Sequence, residues 1–403
     1  MMKLIEQSQV SPPPNSLPSP TTLPLTFFDI PWFYCQPVQR IFFYRFPHPT
    51  HHFLQTTLPI LKHSLSLTLQ HFFPFSSNLI IPPNSDDPPY IRYLNGDSLS
   101  FTVSESSANF NLLISDSQDA QNWHPLVANL PPPRIEPNGA RVIPIMAIQL
   151  TVLPNHGFSI CLTFQHVAGD GKSLHHFMKY WASLSKASAN NHNKHSLLSL
   201  PLDLPSHERD RVKDTKGLKS IYLQELQDSD SKKIEFADSR DSSEFSLPKT
   251  YFGNCLTSYT VSVKRNDLLG ENGIIVASNG IEKKIRDFKS DALLGAETLM
   301  SHYRELSKPG KSVVVVAGSP KLAVYETDFG WGKPVKSDSV HLDSSGSISL
   351  SDCRDGGGGI EVGLALDRSR MANFISIFQQ QLDSICNMWM EENAQVLGFS
   401  SSK

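Results

Sequence analysis

His166 and Asp170 have the clearest potential for chemistry in this sequence, and Val-Ala-Gly separates them. A neutral histidine can take a proton from a hydroxyl group near neutral pH, and a carboxylate four residues later can hold the loop or fix the tautomer of the ring. Two other interpretations are open. The histidine can simply end a strand, or it can join His175 and His176 in a metal site, although those two show no clear ligand spacing.

A predicted β-hairpin and a helix would position His166. Two apolar stretches, 142–153 and 158–165, are joined by Pro-Asn-His-Gly, a short connection of the kind that forms a hairpin. His166 follows the second stretch directly. Apolar residues then recur at helical spacing, at Leu174, Phe177, Met178, Trp181 and Leu184. We therefore expect His166 at the end of a strand, just before an amphipathic helix.

The rest of the chain predicts a mixed α/β protein. Strands are expected at 257–263, 312–317 and 360–366, and helices at 53–71, 275–288 and 371–385. A polar, Asn-rich stretch between the halves is the best candidate for a linker. The 403 residues are long for one core and natural for two domains.

The composition narrows the classes of partner. A net charge of −3 gives no general attraction to nucleic acid or to an anionic membrane surface. The longest apolar runs are too short to span a bilayer, and the first residues turn polar before a signal-peptide core could form. Five scattered cysteines fit free thiols in a reducing compartment. We therefore expect a cytoplasmic monomer with no nucleic-acid or membrane partner.

Five short elements occur in one order along the chain. They are Leu-Thr-Phe-Phe-Asp at 25–29, Gln-His-Phe-Phe-Pro-Phe at 70–75, the His166–Asp170 motif, Tyr-Phe-Gly-Asn-Cys at 251–255 and Asp-Phe-Gly-Trp-Gly at 328–332. In this combination the chain resembles the plant BAHD acyltransferases. The fourth element, Tyr-Phe-Gly-Asn-Cys, makes the chain similar to one subgroup of this family, whose members malonylate or hydroxycinnamoylate flavonoid and phenolic glucosides.

The resemblance implies a fold and an activity. Two chloramphenicol-acetyltransferase-like domains, 1–186 and 218–403, would be joined by a crossover linker, 187–217, with the active-site channel between them. His166 would deprotonate a sugar hydroxyl, which attacks the thioester of acyl-CoA, and would then protonate the departing CoA thiolate. Acyl-CoA is a co-substrate in this scheme, and no cofactor or metal is implied because the thioester is already activated. Malonyl is the expected acyl group, and a hydroxycinnamoyl group is the alternative.

The resemblance also implies roles for other residues. Asp170 would form a structural ion pair with Arg240, which lies at the expected distance before Tyr251. Asp328 belongs to a motif that is usually structural, and it is a candidate catalytic residue. The indole N–H of Trp331 could stabilise the oxyanion, or the ring could simply pack in the core. The candidates for contacts with acyl-CoA are Arg40, Lys172 and Asn254.

The chain departs from the family pattern in two places. Ser242 stands where relatives usually carry a second arginine. Only a polar stretch near 219–237 stands where relatives carry a strand and a long apolar helix. We expect the missing helix to leave apolar surface exposed and to impair activity, so that a catalytically impaired relative that only binds ligand is an alternative to an active enzyme. A serine esterase is a weak third candidate because the chain has no Gly-x-Ser-x-Gly element.

Overall fold

The computed structural model describes residues 1–84, 86–116, 119–190, 203–227, 237–238, 247–257, 260–306, 314–340 and 346–396. Within these ranges the strands are β1 (Met2–Val10), β2 (Thr21–Pro24), β3 (Val38–Arg45), β4 (Asn78–Ile81), β5 (Tyr90–Tyr93), β6 (Leu99–Ser106), β7 (Arg134–Ile135), β8 (Arg141–Pro144), β9 (Met146–Leu153), β10 (Gly157–Phe164), β11 (Ala237–Asp238), β12 (Leu256–Thr257), β13 (Val315–Gly318), β14 (Lys336–Ser339), β15 (Ser347–Asp352) and β16 (Ile360–Ala365). The helices are α1 (Thr50–His52), α2 (Leu58–His71), α3 (Phe110–Leu113), α4 (Gly171–Asn190), α5 (Leu218–Gln227), α6 (Arg265–Leu269), α7 (Gly273–Ser290), α8 (Leu299–Leu306) and α9 (Arg368–Val396). None of these described helices combines the length and the apolar character needed to cross a membrane.

A six-stranded sheet in the order β1-β6-β9-β10-β3-β14 forms the centre of the molecule. Every residue of β9 and β10 is buried, because side chains pack on both faces of these strands. Asn155 lies in the turn between them with a φ of 64°, a left-handed conformation that asparagine tolerates. The predicted hairpin before His166 is therefore confirmed.

Two helices cover the face of the sheet that carries the larger hydrophobic core. Leu61, Leu65 and Leu69 of α2 are fully buried, as the periodicity predicted, and a π-helical turn joins α2 to α1. The indole N–H of Trp181, on α4, donates to the carbonyl of Leu61 at 3.1 Å. The predicted helices over 53–71 and after His166 are both confirmed, and they pack against each other.

The sheet also takes a strand from the C-terminal part of the chain. β14 pairs antiparallel with β3, with Ser339 opposite Arg40. Residues 336–339 therefore belong to the sheet of the N-terminal part, whereas the sequence assigned all of 218–403 to a second domain. Backbone pairing, which local patterns do not reveal, therefore crosses the predicted boundary, and the division into two domains stays a prediction.

The predicted linker is more structured than its polarity suggested. α4 continues to Asn190, past the expected end of the first domain at 186. Residues 209–211 form a 3-10 turn in which Arg209 is buried. Downstream, α5 occupies 218–227 and buries Leu218 and Tyr222.

The C-terminal part contains a small sheet in the order β13-β15-β16. The hairpin of β15 and β16, and helix α7, confirm their predictions. A strand over 257–263 is wrong: β12 ends at Thr257, and residues 260–263 lie outside any strand.

Candidate active site

His166 lies where the central sheet meets the helical layer. β10 ends at Phe164, His166 opens a 3-10 turn, and α4 begins at Gly171. The indole of Trp32 stacks on the imidazole, with ring centroids 3.4 Å apart and planes 3° from parallel. Such stacking fixes the plane of the imidazole while its nitrogens stay at the ring edge.

Asn254 determines which nitrogen of His166 carries the proton. Its amide nitrogen donates to the carbonyl of His166 and to Oδ1 of Asp29, both at 2.9 Å. Both partners are pure acceptors, so the amide oxygen must be the atom that faces Nδ1 of His166, at 3.1 Å. Nδ1 is therefore the protonated nitrogen, and Nε2 carries the lone pair that can accept a proton.

Asp29 and Arg209 form a buried ion pair behind Asn254. Their charged atoms lie 2.7 Å apart, and the side chains are 0% and 3% exposed. Burial alone would lower the pKa of Arg209, but Asp29 and the hydroxyl of Tyr251 outweigh it and raise that pKa above its usual value. Oδ2 of Asp29 also accepts hydrogen bonds from the backbone N–H and the hydroxyl of Thr26, at 2.8 and 2.7 Å.

The Tyr-Phe-Gly-Asn-Cys segment brings Arg209 to this site. Tyr251 pairs with Ser206, and the N–H of Phe252 donates to the carbonyl of Ser206 at 2.8 Å. Gly253 has a φ of +148°, and a Cβ at this position would lie 2.6 Å from Nη1 of Arg209. Only glycine allows the backbone to pass this close to the guanidinium.

We expect Gly253→Ala to destabilise the protein by about 1–3 kcal/mol, because it adds both backbone strain and a clash with Arg209. Urea denaturation would measure the change. Gly217→Ala is the matched control, since Gly217 has a φ of +67° and nothing within 4 Å of its Cβ position. Equal losses in the two variants would contradict the contact with Arg209.

Asp170 ties the start of α4 to the same segment. It is fully buried and accepts the backbone N–H groups of Ser173 at 3.0 Å and Cys255 at 3.3 Å. The hydroxyl of Ser173 donates to the carbonyl of Gly253 at 3.1 Å. These contacts suit the structural role expected of Asp170. Arg240, its expected partner, lies outside the described residues, so that ion pair stays a prediction.

Asp328 does not lie near His166, which corrects its assignment as a catalytic candidate. Its carboxylate bonds the ammonium of Lys186 at 2.6 Å and the N–H groups of Gly330 and Gly332 at 2.8 and 3.0 Å. Lys186 is fifteen residues along α4 from its start, which is about 22 Å at the helical rise. The carboxylate of Asp328 therefore stabilises the turn at residues 328–332.

Trp331 is likewise remote from the base. Its ring packs edge-on against Phe158 at 5.5 Å, at the start of β10. The end of that strand, where His166 follows, is about 20 Å further along. The indole cannot stabilise an oxyanion beside His166 from there, so the competing interpretation, packing in the core, is the one that the geometry supports.

The candidates for contacts with acyl-CoA lie in different surroundings. Arg40 is buried, and it donates from Nε to Ser337 at 3.0 Å and from Nη1 to Ser339 at 2.9 Å. Lys172 is half-buried in the first turn of α4. Asn254 is fully buried and engaged with His166, so its geometry is that of a residue that orients the base. Direct contact of any of the three with acyl-CoA stays a prediction.

The two histidines on α4 do not converge on a metal position. His175 is buried against Phe42, with ring centroids 6.0 Å apart. Nε2 of His176 instead lies 2.7 Å from the carbonyl of Asp203. Within the described ranges, no group of three or more His, Cys, Asp or Glu side chains is placed to hold a metal ion.

Sequence reasoning missed Trp32, Arg209 and the role of Asp29. Asp29 belonged to one of the ordered elements, so its presence was noted without a function. Arg209 lay in a polar stretch taken as a linker, where no local signal separates a buried arginine from an exposed one. Trp32 lay outside every element considered, and its contact with a histidine more than a hundred positions away leaves no local pattern.

Comparison with known proteins identifies the family of the chain. A family model described as "Transferase family" matches residues 2–244 and 219–381. A coumaroyl-CoA:anthocyanidin 3-O-glucoside-6''-O-coumaroyltransferase from Arabidopsis thaliana is 36% identical, with 94% of this chain and 97% of the relative covered. Phenolic glucoside malonyltransferase 1 from Nicotiana tabacum is 32% identical, covering 87% and 92%. A malonyl-coenzyme A:anthocyanin 3-O-glucoside-6''-O-malonyltransferase from Dahlia pinnata is 31% identical, covering 95% and 98%.

Solved structures share the fold. Vinorine synthase superposes with a TM-score of 0.64 at 18% identity, covering 92% of this chain and 96% of that one. TRI101 of F. sporotrichioides, complexed with coenzyme A and T-2, gives a TM-score of 0.56 at 14% identity, covering 88% and 97%. The mixed α/β, chloramphenicol-acetyltransferase-like fold expected from the sequence is thus confirmed. The chain belongs to the BAHD acyltransferase family.

Proposed function

We propose that this chain transfers a malonyl group from malonyl-CoA to a sugar hydroxyl of a phenolic or flavonoid glucoside. The observation that carries the proposal is the imidazole of His166, held with Nδ1 protonated by Asn254 and with its plane fixed by Trp32. A neutral imidazole in one tautomer is what a general base for a hydroxyl group requires.

The reaction follows from that arrangement. Nε2 of His166 takes the proton of the acceptor hydroxyl while the oxygen attacks the thioester carbon. The tetrahedral intermediate then expels the CoA thiolate, which takes the proton back from the imidazolium. The thioester is already an activated acyl group, so acyl-CoA enters as a co-substrate and the scheme calls for no resident cofactor.

The names of the relatives support the glucoside acceptor and leave two candidate donors. Malonyl-CoA or malonyl-coenzyme appears in the names of a Dahlia, a Salvia and an Arabidopsis relative. Coumaroyl-CoA appears in those of two Arabidopsis relatives at 36% and 35% identity.

We expect CoA release from malonyl-CoA to depend on a glucoside acceptor, with a kcat/KM roughly tenfold or more above that for coumaroyl-CoA. Thiol detection would measure the release, and the matching aglycone without its sugar is the control. Faster turnover with coumaroyl-CoA would identify the alternative donor. Tight binding of acyl-CoA without release would identify an impaired relative that only binds ligand.

For the cellular location and the oligomeric state, our proposal is the one that the sequence predicts. We propose a cytoplasmic monomer whose partners are acyl-CoA and the phenolic glycoside. Size-exclusion chromatography with light scattering would test the monomer.

A further inference from the structure

We propose that Asp29 and Arg209 are positioning residues for the reaction, acting on His166 through the amide of Asn254. The inference rests on the proposed function, in which Nε2 of His166 is the base. The chain of contacts runs from Arg209 to Asp29 at 2.7 Å, from Asp29 to the Asn254 amide nitrogen at 2.9 Å, and from the Asn254 oxygen to Nδ1 at 3.1 Å.

The carboxylate of Asp29 fixes the orientation of the Asn254 amide. A flipped amide would place its oxygen 2.9 Å from Oδ1 of Asp29 and 2.9 Å from the carbonyl of His166, where acceptors would face acceptors. It would also turn the NH2 group toward Nδ1, which could then only accept a hydrogen bond. His166 would be forced into the other tautomer, with its proton on Nε2 and no lone pair there for the substrate hydroxyl.

Arg209 compensates the negative charge of the buried Asp29 carboxylate. Asp29 is 0% exposed, and an isolated charge at that depth would be strongly unfavourable. Asp29 also accepts the backbone N–H of Asn254 at 3.2 Å. The carboxylate of Asp29 therefore holds both the backbone and the side-chain amide of Asn254. The charge next to the amide polarises it and strengthens the bond from its oxygen to Nδ1.

A second observation is that the neighbouring residues leave Arg209 little room to move. Arg209 passes Gly253 so closely that no side chain fits there, and its Cζ lies 5.7 Å from the ring centroid of Tyr251. The guanidinium is thus clamped by the same segment that carries Asn254. A displacement of Arg209 would move both the carboxylate and the amide.

The test replaces the ion pair in two ways. The double variant Asp29→Leu, Arg209→Met removes the polar anchor without leaving a buried charge, a kind of replacement that proteins often tolerate. The double variant Asp29→Asn, Arg209→Gln keeps hydrogen-bonding groups but removes both charges. The control is Arg211→Gln, which breaks an exposed ion pair to Glu208 in the same turn.

We expect kcat to fall about 10- to 100-fold in the apolar double variant, by less in the polar one, and not in the control. The deciding readout is the ¹⁵N NMR signal of the His166 imidazole, assigned against His166→Ala. The wild type should show Nδ1 protonated, and the apolar double variant should gain the Nε2-protonated form. This signal needs no turnover, so it decides the inference even if the CoA-release assay rejects the proposed function.

Two results would overturn the inference. One is a folded apolar double variant with the wild-type NMR signature, whatever its kcat, since the pair would then be purely structural. The other is a control variant that shifts the signature equally. Circular dichroism and urea denaturation establish that each variant is folded before either readout is taken.

Discussion

Alanine at position 166 is expected to lower kcat for acyl transfer by about 10²–10⁴-fold, with a much smaller effect on the KM for acyl-CoA. The variant loses the group that the geometry prepares as a base, because Asn254 sets the tautomer of the imidazole and Trp32 sets its plane. Binding of the thioester makes no use of that proton acceptor. Initial rates of CoA release would measure both constants.

A matched control separates the loss of a base from the loss of a histidine. His156→Ala removes an exposed histidine from the turn at the opposite end of β10, where its Nδ1 lies 2.8 Å from the carbonyl of Pro154. That variant should keep the wild-type kcat. A kcat for His166→Ala within a factor of about three of the wild-type value would reject the proposed mechanism, because a general base contributes far more than that.

The elements that position His166 could be predicted because their signals are local. Apolar stretches, a short polar turn and leucines at helical spacing are each read within a few residues, so β9, β10 and α2 could be placed from the pattern. The predicted strand at 257–263 is wrong over 260–263, because β-structure depends on a partner strand as well as on local propensity. Local propensity does not report what lies alongside.

The network behind the base could not be predicted in the same way. Asp29 contacts Arg209 across 180 positions of sequence and Asn254 across 225. Charge, polarity and spacing near Arg209 are those of a surface segment, and only the pairing of Ser206 with Tyr251 turns it inward. The assignment of Asp328 failed for the converse reason, since a recognisable motif carries no information about its distance from the base.

The second large effect is a gain in stability, which we expect from inserting a segment at the stretch near 219–237. The alignment with the Arabidopsis coumaroyltransferase spans 465 positions, more than the 403 residues of this chain, so the relative carries residues without a counterpart here. The two family matches, 2–244 and 219–381, also overlap at this stretch. Both observations support our proposal that a strand and a helix are missing from the C-terminal part.

The exposed surface of α9 agrees with that proposal. Its apolar side chains follow helical spacing, as the sequence predicted for a packed helix. Yet Phe374, Phe378, Leu382 and Ile385 are 39%, 51%, 43% and 57% exposed. Among residues 368–387, the part of α9 whose side chains the structure describes, none belongs to a hydrophobic core cluster. A helix with this pattern normally buries its stripe against another element.

Inserting the relative's unmatched segment at this stretch is expected to raise the free energy of unfolding by about 3–5 kcal/mol, because it would cover four half-exposed apolar side chains. Thermal and urea denaturation would measure the gain, and CoA release should rise with it. A Gly/Ser insert of equal length is the control. Its midpoint should stay at or below that of the natural chain, since a flexible insert adds only loop entropy.

A single substitution would show whether the gain comes from α9. Phe378→Ala should cost less than about 1 kcal/mol in the natural chain, where the ring is half in water, and about 3 kcal/mol or more in the chimera, where a buried ring would be lost. Equal costs in the two backgrounds would mean that the insert packs elsewhere. The exposed stripe would then be a property of the natural chain and would not mark the place of an absent helix.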